Sequence, residues 1–346
     1  MYYFIVNPGS RTGKGEGLWT QLETQIRQNG IEYEVFFTAG EGDATRLAER
    51  ICIEHPEPKN IVMVGGDGTA NEIVNGLSGY SNILLGYIPT GSSNDLARGL
   101  GIAQDPAAAL ERILHPTKIL SVDHGVVQFP DEDAGTNGAG QTDAGANGAG
   151  QTDADADSAG QNGAGTNGAG QTGSRRFAVS SGIGYNADIC YEALTSPLKS
   201  FLNRIHLGKL IFYLLGIKLI FTNKRAAAEL IIDGDRKMKT DALMFADAMN
   251  TVYEGGGMPM GPGADPTDGQ VTVCVVHDIS RLKHMLLMPA IIKAKHINHK
   301  GVELITCRTL EVITDRPLVV HTDGEFAGKH SHVVFSCMPE QIRMTM

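Results

Sequence analysis

Continuous apolar runs alternate with amphipathic stretches at the start of the chain, and this alternation constrains the fold more than any other feature. The runs have the length of buried strands, and the stretches between them carry apolar residues at three- and four-residue spacing. The runs cover residues 2–6, 31–38, 60–64 and 83–89, and the helical stretches cover 17–29, 43–55 and 69–77. Such a series predicts an α/β domain with a parallel sheet, whose ligand site lies beyond the carboxyl ends of the strands.

The pattern changes in the second half of the chain. Helical stretches at 186–222 and 281–296 are interleaved with short strand-like runs such as QVTVCVV, VELITC and SHVVFSC. Dense short strands with turn residues between them predict a second, mostly antiparallel β domain. We therefore predict an α/β domain over residues 1–121, to which the last few C-terminal residues can return, and a β-rich domain over residues 122–346.

A low-complexity segment covers residues 131–174 and repeats the hexapeptide NGAGQT. It has no apolar residue larger than alanine, so it cannot bury enough surface to offset its ordering entropy and is predicted to be a disordered loop between two strands. Seven of the 39 acidic residues and none of the 29 basic ones lie in it, which leaves 32 acidic against 29 basic residues elsewhere. The rest of the chain lacks the basic excess of a nucleic-acid-binding protein.

The cysteine pattern and the N-terminus bear on localisation. Five scattered cysteines without C-x-x-C spacing predict reduced thiols in a cytoplasmic protein. The opening MYYFIVNPGS has no basic region and is predicted to be a first strand rather than a signal peptide.

The apolar run 205–221 contains Lys209 and Lys218, and each lysine would cost about 2.5–3.5 kcal/mol at the centre of a bilayer. This run predicts a buried helix, or one that docks on a membrane surface, and not a spanning helix.

Three loops follow strands at the same predicted edge of the sheet. They read NPGSRTGKG (7–15), GGDGTANE (65–72) and PTGSSNDLARG (89–99). Glycine turns and helix N-termini present backbone N–H groups to anions, so the loops predict a phosphate ligand, although neither the Walker A spacing nor the dinucleotide fingerprint is present. Asp67 and Asp95 lie in two of these loops, and acids beside phosphate require a divalent cation between them, which predicts Mg²⁺.

The block GGDGTANEIVNG, followed by GYIPTGSSNDLARGLGI, resembles the diacylglycerol kinase catalytic domain family, which includes bacterial lipid kinases and the sphingosine and ceramide kinases. NPGSRTGKG, FTAGEGDA, VDHG and HTDGEF follow the order that the family uses, and the resemblance covers the chain except the low-complexity segment. GGDGT alone also occurs in NAD kinases. The resemblance implies a three-layer α/β nucleotide-binding domain of the phosphofructokinase and NAD kinase type, followed by a mostly antiparallel β-sandwich domain.

The resemblance also implies a set of ATP contacts, most of them in the strand-end loops and one in the second domain. They are Asn7, Pro8, Gly9, Ser10, Arg11, Thr38, Gly65, Gly66, Asp67, Gly68, Thr69, Ala70, Asn71, Glu72, Ser92, Asn94 and Glu325. Arg11 stands where the family usually has glycine, which weakens the expectation of a close backbone approach to phosphate there.

Two magnesium sites are implied in the same way. A water-linked network matches Asp67, Asp95 and Asp123, and a separate structural site matches the Asp268 carboxylate with the backbone carbonyls of Asp265 and Gln270. Gln270 replaces the usual leucine of the family, a change that a carbonyl ligand tolerates.

Asp323 in HTDGEF matches the general base of the family. Phosphoryl transfer to an alcohol needs an acceptor for the hydroxyl proton, which a carboxylate can supply. Without the resemblance, an acid in an Asp-Gly turn between two strands explains Asp323 equally well. His321 is predicted to be a strand histidine with satisfied hydrogen bonds.

These features together predict an ATP- and Mg²⁺-dependent lipid kinase, with diacylglycerol as the foremost acceptor. Another lipid, an NAD kinase-type enzyme and a non-catalytic nucleotide-binding regulator stay open as alternatives. The helices within 193–222 and 281–296 suit either an acyl-chain groove at the inner face of the membrane or ordinary core packing. No nucleic-acid partner is expected, and a homodimer is left open.

Overall fold

The N-terminal part of the protein is a parallel sheet. The structure, a computed structural model, describes residues 1–10, 15–77, 79–130, 173–196 and 210–346. The first strands are β1 (Tyr2–Val6), β2 (Tyr33–Phe37), β3 (Lys59–Gly65) and β4 (Ile83–Pro89). They lie in the order β2-β1-β3-β4 and every neighbouring pair is parallel, as the alternating pattern predicts.

Helices cover both faces of this sheet. They are α1 (Gly15–Gln28), α2 (Asp43–Glu54), α3 (Asp67–Gly76), α4 (Asp95–Gly99) and α5 (Pro106–Leu114). One apolar cluster joins α2 and α3 to the sheet through Ile51 and Ile73, and the opposite cluster joins α1 and α5 through Trp19 and Ile113. Successive strand residues point to opposite faces, so Phe4 packs in the second cluster and Ile5 in the first. The three-layer prediction is confirmed.

The second part is built mostly from antiparallel strands. They are β5 (Ile119–Gln128), β6 (Ser174–Phe177), β7 (Ser180–Gly184), β8 (Ala226–Ile232), β9 (Arg236–Met249), β10 (Val271–His277), β11 (Val302–Cys307), β12 (Thr309–Thr322) and β13 (Glu325–Thr345). Their apolar side chains form one buried cluster that includes Ile183, Val273, Val320 and Phe335. The prediction of a β-sandwich domain is confirmed.

Three longer helices lie against one side of this domain. They are α6 (Tyr185–Thr195), α7 (Leu210–Thr222) and α8 (Arg281–Ile292), followed by a short 3-10 helix (His296–Asn298). The predicted helical stretch 186–222 includes residues 197–209, which lie outside the described residues. Tyr185 of α6 contacts both other helices. Its hydroxyl donates to the Gly216 carbonyl of α7 at 2.8 Å, and its ring packs edge-on against the His284 ring of α8, with 4.4 Å between the ring centres. No helix in the described ranges has the length and hydropathy needed to span a bilayer.

The last strand connects the two parts. Met344, near the end of β13, pairs in parallel with Leu85 of β4, while β13 also pairs antiparallel with β5. The chain therefore returns to the N-terminal sheet at its C-terminal end. The domain limits 1–121 and 122–346 stay a prediction, since β5 runs across the position between them.

Strands β5 and β6 approach each other where the low-complexity segment leaves and re-enters the sheet. Gln128 pairs with Ser174, and the Phe129 N–H donates to the Gly173 carbonyl at 2.7 Å. The predicted disordered loop lies almost wholly in residues 131–172, outside the described residues.

Deletion of residues 134–172 is expected to leave the fold intact, because the flanking backbone is already paired. Shortening the connection reduces the entropy lost on loop closure, so the free energy of unfolding should rise by about 2 kcal/mol or stay unchanged. Denaturant unfolding monitored by circular dichroism measures this. A loss of more than about 2 kcal/mol relative to the full chain would mean that the segment contributes to the folded core.

Candidate functional site

Side chains from the β1, β3 and β4 loops meet at the carboxyl edge of the parallel sheet. Asn7, after β1, donates from Nδ2 to Thr69 Oγ1 at 3.0 Å and accepts the Gly9 N–H at 3.0 Å. Thr90, after β4, donates to Ser10 Oγ at 3.0 Å. These contacts bring the predicted residues of all three loops together, with Pro8 in the same turn. Arg11 lies outside the described residues.

Two glycines allow the β3 and β4 loops to pack backbone against backbone. A Cβ atom at Gly91 would lie 2.6 Å from Gly66 Cα, a distance that no side chain tolerates. Gly65 is equally confined, because its Cβ would lie 2.5 Å from Thr69 Cβ. Asn94, with a φ of 52°, accepts the Gly91 N–H at 2.8 Å and ends the second loop. The resulting corner exposes backbone at the start of α3, where anions are favoured.

The remaining predicted nucleotide residues differ in exposure. Thr38 is half-buried beside β1, and its N–H donates to the Val6 carbonyl at 2.9 Å. Ser92 is exposed, whereas Ala70 is buried inside α3. Glu325, in the second domain, comes close to the corner: its Oε1 lies 4.0 Å from the position that a Cβ of Gly68 would take. The second domain therefore reaches the start of α3.

Glu72 has a structural partner that the sequence pattern does not reveal. Its carboxylate accepts the Gly42 N–H at 2.9 Å and the Ala44 N–H at 3.0 Å. Both donors belong to the first turn of α2, whose N-terminal N–H groups have no partner inside the helix. Glu72 therefore caps α2 from the neighbouring helix.

The two strand-end aspartates lie next to each other. Asp67 accepts the backbone N–H groups of Asp95 and Leu96, both at 3.1 Å. Burial raises the pKa of Asp67 to about 6; the two N–H donors oppose this shift, and the charges of Asp95 and Asp323 add to it. Asp95 in turn accepts the Gly256 N–H at 2.7 Å, which connects α4 to a loop of the second domain. This pair has the oxygen ligands and the excess negative charge that suit Mg²⁺.

Asp123 lies against the loop that carries the other predicted magnesium ligands. Its carboxylate accepts the Gly269 N–H at 2.7 Å, and its own N–H donates to the Pro266 carbonyl at 2.7 Å. In that loop Asp268 accepts the Gln270 N–H at 2.9 Å. Burial raises the pKa of Asp268, and the charges of Asp265 and Asp123 add to the effect. The structure thus groups Asp123 with Asp265 and Asp268; its sharing of a network with Asp67 and Asp95 stays a prediction.

Asp323 occupies the tight turn between β12 and β13. Asp323 and Gly324 have φ values of 49° and 86° and connect a paired Thr322 and Glu325, which is a two-residue hairpin turn. Asp323 is therefore the acid of an Asp-Gly turn between two strands, as the sequence also allowed, and this holds whatever its chemical role.

The Asp323 carboxylate accepts four hydrogen bonds. Oδ2 accepts from Asn71 Nδ2 at 2.7 Å and from the Ala178 N–H at 2.8 Å, and Oδ1 accepts from the N–H groups of Val179 and Ser180 at 2.8 and 2.9 Å. Burial raises the pKa of Asp323, and these donors oppose the shift without cancelling it. Four donors occupy all the lone-pair positions of a carboxylate. Among these four donors, Asn71 alone donates through a side chain, whose rotamer can change while the three backbone donors stay in place.

Three other residues meet next to this site: Asp247 and Glu254, which sequence reasoning missed, and His321, which it placed in a strand without a functional role. One potential ligand atom from each lies within 4.8 Å of the other two. His321 was expected to be a strand histidine with satisfied hydrogen bonds; its Nδ1 lies 3.3 Å from the Gly324 N–H and its buried Nε2 lies 3.3 Å from Glu254 Oε1, both long contacts. Burial raises the pKa of Glu254 to about 8, and the charge of Asp247 adds to the shift. Strand register brings Asp247 and His321 together, and no local pattern in the sequence reveals this register.

An α/β domain with glycine loops at its strand ends, joined to a β-sandwich that supplies carboxylates to the same corner, has the architecture of a two-domain kinase. Residues 1–127 match the diacylglycerol kinase catalytic domain family, and residues 191–346 match the family described as YegS C-terminal NAD kinase beta sandwich-like domain. The motifs of residues 1–127 therefore predict the family whose model matches this part of the chain.

Individual relatives match almost the whole chain. YtlR of Bacillus subtilis (strain 168) is 24% identical over 94% of this chain and 94% of its own length. Diacylglycerol kinase of the same organism is 25% identical over 97% of this chain and 96% of its own length. A crystal structure from Bacillus anthracis str. Sterne superposes with a TM-score of 0.70 at 20% identity, over 99% of this chain and 96% of that one. This superposition supports the fold.

Replacement of Glu72 by alanine should destabilise the protein, because two N–H groups at the start of α2 lose their acceptor. We expect the free energy of unfolding to fall by about 1–2 kcal/mol, measured by denaturant titration. Glu41→Ala, an exposed change beside the same turn, is the matched control and should have little effect. Unchanged stability in the Glu72 variant would contradict the capping role, and nucleotide titration of the same variant tests the predicted ATP contact separately.

Proposed function

We propose that the protein transfers the γ-phosphate of ATP to the hydroxyl of a diacylglycerol, giving phosphatidic acid, with Mg²⁺ as cofactor. The observation that carries this proposal is the meeting of Asp323, from the β-sandwich, with Asn71 on the helix that follows the GGDGT loop. This contact joins the carboxylate that we propose as proton acceptor to the helix whose N-terminus we propose as the phosphate-binding corner. Transfer between a nucleotide and an alcohol needs both of these parts.

The nucleotide side of the proposal depends on the packed glycine loops. Gly66 and Gly91 leave the backbone accessible at the start of α3, and Gly68 follows in the first turn of that helix. Backbone N–H groups at such a helix start hold phosphate oxygens. Asn7 and Ser10 support the loops from β1. These residues fit an ATP phosphate chain.

Asp67 and Asp95 fit the cation that this chemistry requires. The Asp67 carboxylate accepts the backbone N–H of Asp95 itself, and burial disfavours leaving both charges without a counterion. When bound, Mg²⁺ neutralises charge on the phosphates and favours their transfer. The protein's own part is to hold the two carboxylates in place through backbone N–H groups.

Asp323 is proposed as the base that accepts the hydroxyl proton. Rotation of Asn71 would free one lone pair on Oδ2, while the three backbone donors keep the carboxylate in position. The raised pKa of Asp323 makes the carboxylate a better proton acceptor than an exposed aspartate. The proton then resides on Oδ2 until the product leaves.

The acceptor is proposed to arrive from a membrane surface. Large apolar side chains are exposed on α7 and α8, which pack against each other. They are Phe212, Leu214, Ile217 and Phe221 on α7, and Leu282, Met285, Leu286 and Ile292 on α8; we call this set the apolar face. Residues 281–301 add five lysines and arginines and no acid, which suits an anionic lipid surface.

Two side-chain contacts of α6 connect α7 with the residues next to Asp323. Lys218 of α7 forms an ion pair with Glu192 of α6 at 2.6 Å. The ring of Tyr191, also on α6, lies 4.7 Å from the ring of Phe326, three residues after Asp323. A lipid whose chains rest on the apolar face could therefore extend its hydroxyl along α6 toward the base.

Asp323→Asn is expected to lower phosphorylation of diacylglycerol by about 10²–10⁴-fold, because the amide cannot accept the proton. Turnover is measured with labelled ATP in mixed micelles, and ATP affinity and the melting temperature are measured in parallel. Both should stay close to wild type. Asp315→Asn, an exposed change on the same strand, is the control. Retained turnover in a folded Asp323→Asn protein would exclude this residue as the base.

Leu286→Asp should reduce activity on anionic vesicles by about 10-fold or more, because it removes an apolar contact and adds repulsion from the lipid charge. Activity on a short-chain, water-soluble diacylglycerol should not change. Ile53→Asp, at a residue that is also exposed but lies on α2, is the matched control. Equal activity of the Leu286 variant and wild type on vesicles would contradict the proposal that the apolar face contacts the membrane.

A further inference from the structure

Strand register brings His321 and Asp247 to opposite sides of one glycine. Strand β7 lies between β12 and β9, and Gly182 of β7 pairs with His321 on one side and with Asp247 on the other. Residues that pair directly across strands project their side chains from the same face. His321 and Asp247 therefore converge above Gly182.

Gly182 provides the space in which these side chains meet. A Cβ atom there would lie 1.8 Å from Asp247 Oδ1 and 2.8 Å from His321 Nε2. Glu254, from the loop after β9, completes the group: its Oε1 lies 3.3 Å from His321 Nε2, which is 3.8 Å from Asp247 Oδ1. Any larger residue at position 182 would occupy the centre of the cluster.

The protein satisfies the polar atoms that face this centre only in part. Within the described ranges, Asp247 Oδ1 and Glu254 Oε2 have no hydrogen-bond partner of good geometry, and His321 Nε2 has only the long contacts to Glu254 and Asp247. The side chains of Asp247 and His321 are 0% exposed. Buried polar atoms without partners are costly, so a group that satisfies all three is strongly favoured. The other Asp247 oxygen accepts from Asn186 Nδ2, which fixes the orientation of the carboxylate.

In the absence of a metal, protons lower the charge of the cluster, because burial raises the pKa of Glu254. The Gly324 N–H lies 3.3 Å from His321 Nδ1, which puts the ring proton on Nε2, between two carboxylates. Asp95 and Asp323 add further negative charge around Glu254. A dication would neutralise both carboxylates of the cluster, at the cost of displacing the protons on His321 and Glu254 and of opening the long Gly324 contact.

We propose that Asp247, Glu254 and His321 form a binding site for one transition-metal dication of the Mn²⁺ or Zn²⁺ class. An imidazole with two carboxylates suits these ions, whereas Mg²⁺ prefers oxygen ligands alone. The site is distinct from the carboxylate pairs expected to bind Mg²⁺. It does not depend on the identity of the phosphate acceptor.

Mn²⁺ binding to the full-length protein tests the site. Protein stripped with a chelator is titrated with Mn²⁺ in a large excess of Mg²⁺, and unbound Mn²⁺ is counted by electron paramagnetic resonance. We expect one Mn²⁺ per chain, with affinity at least about 10-fold lower in Asp247→Asn and in Glu254→Gln. Asp241→Asn, an exposed change on the same strand as Asp247, should bind like wild type.

Melting temperatures distinguish a metal site from a structural ion pair. Mn²⁺ at about 100 times its dissociation constant should raise the melting temperature of wild type by about 5 °C, and should not raise that of Glu254→Gln. Without metal, Glu254→Gln should melt at or above wild type, because burial disfavours the charged form of Glu254 and a neutral amide of the same shape replaces it. A lower metal-free melting temperature in Glu254→Gln would indicate that Glu254 serves His321 as an ion-pair partner.

Absence of Mn²⁺ binding to wild type in excess Mg²⁺, or equal binding by the two cluster variants, would overturn the proposal. Neither readout uses phosphoryl transfer. Failure of the metal site would therefore leave the proposed kinase reaction standing, and failure of the kinase assay would leave the metal site standing.

Discussion

The hydrogen bonds to the Asp323 carboxylate are the interaction on which the rest of the site depends. This one group connects the β12–β13 turn to the backbone at 178–180 and to Asn71 on the helix after the GGDGT loop. It therefore fixes a β-sandwich turn against an α/β corner that belongs to a distant part of the chain. Three backbone N–H groups hold the carboxylate in position. The fourth donor is the Asn71 side chain, and we propose that the substrate hydroxyl takes its place.

Several carboxylates lie around this junction, and much of the local backbone structure serves to stabilise their negative charge. Asp67, Asp95, Glu254 and Asp323 influence one another electrostatically. Backbone N–H groups partly compensate for the charge, as at Asp67, and the loop at Gly256 extends this compensation to Asp95. Burial raises the free-energy cost of the remaining charge, and for this reason we propose dications at this junction.

Local sequence patterns predict the elements well and the contacts between them less well. The run 60–64 appears as Lys59–Gly65, and 83–89 as Ile83–Pro89, because apolar periodicity directly reports buried strands. The strand-end loops could be grouped because parallel strands end at one edge. The cap that Glu72 provides to α2 and the position of Asp123 against the Asp268 loop depend on tertiary packing. The Asp247 cluster requires the register of three strands, of which β9 has no clear apolar alternation in its first half.

The central claim is that a lipid hydroxyl receives phosphate at this junction. The most direct test supplies labelled ATP and Mg²⁺ with a panel of acceptors in mixed micelles: diacylglycerol, monoacylglycerol, sphingosine, ceramide, undecaprenol and phosphatidylglycerol, with NAD in solution alongside. The account predicts labelled phosphatidic acid as the main product and no labelled NADP. Label in NADP, or in no acceptor at all, would contradict it.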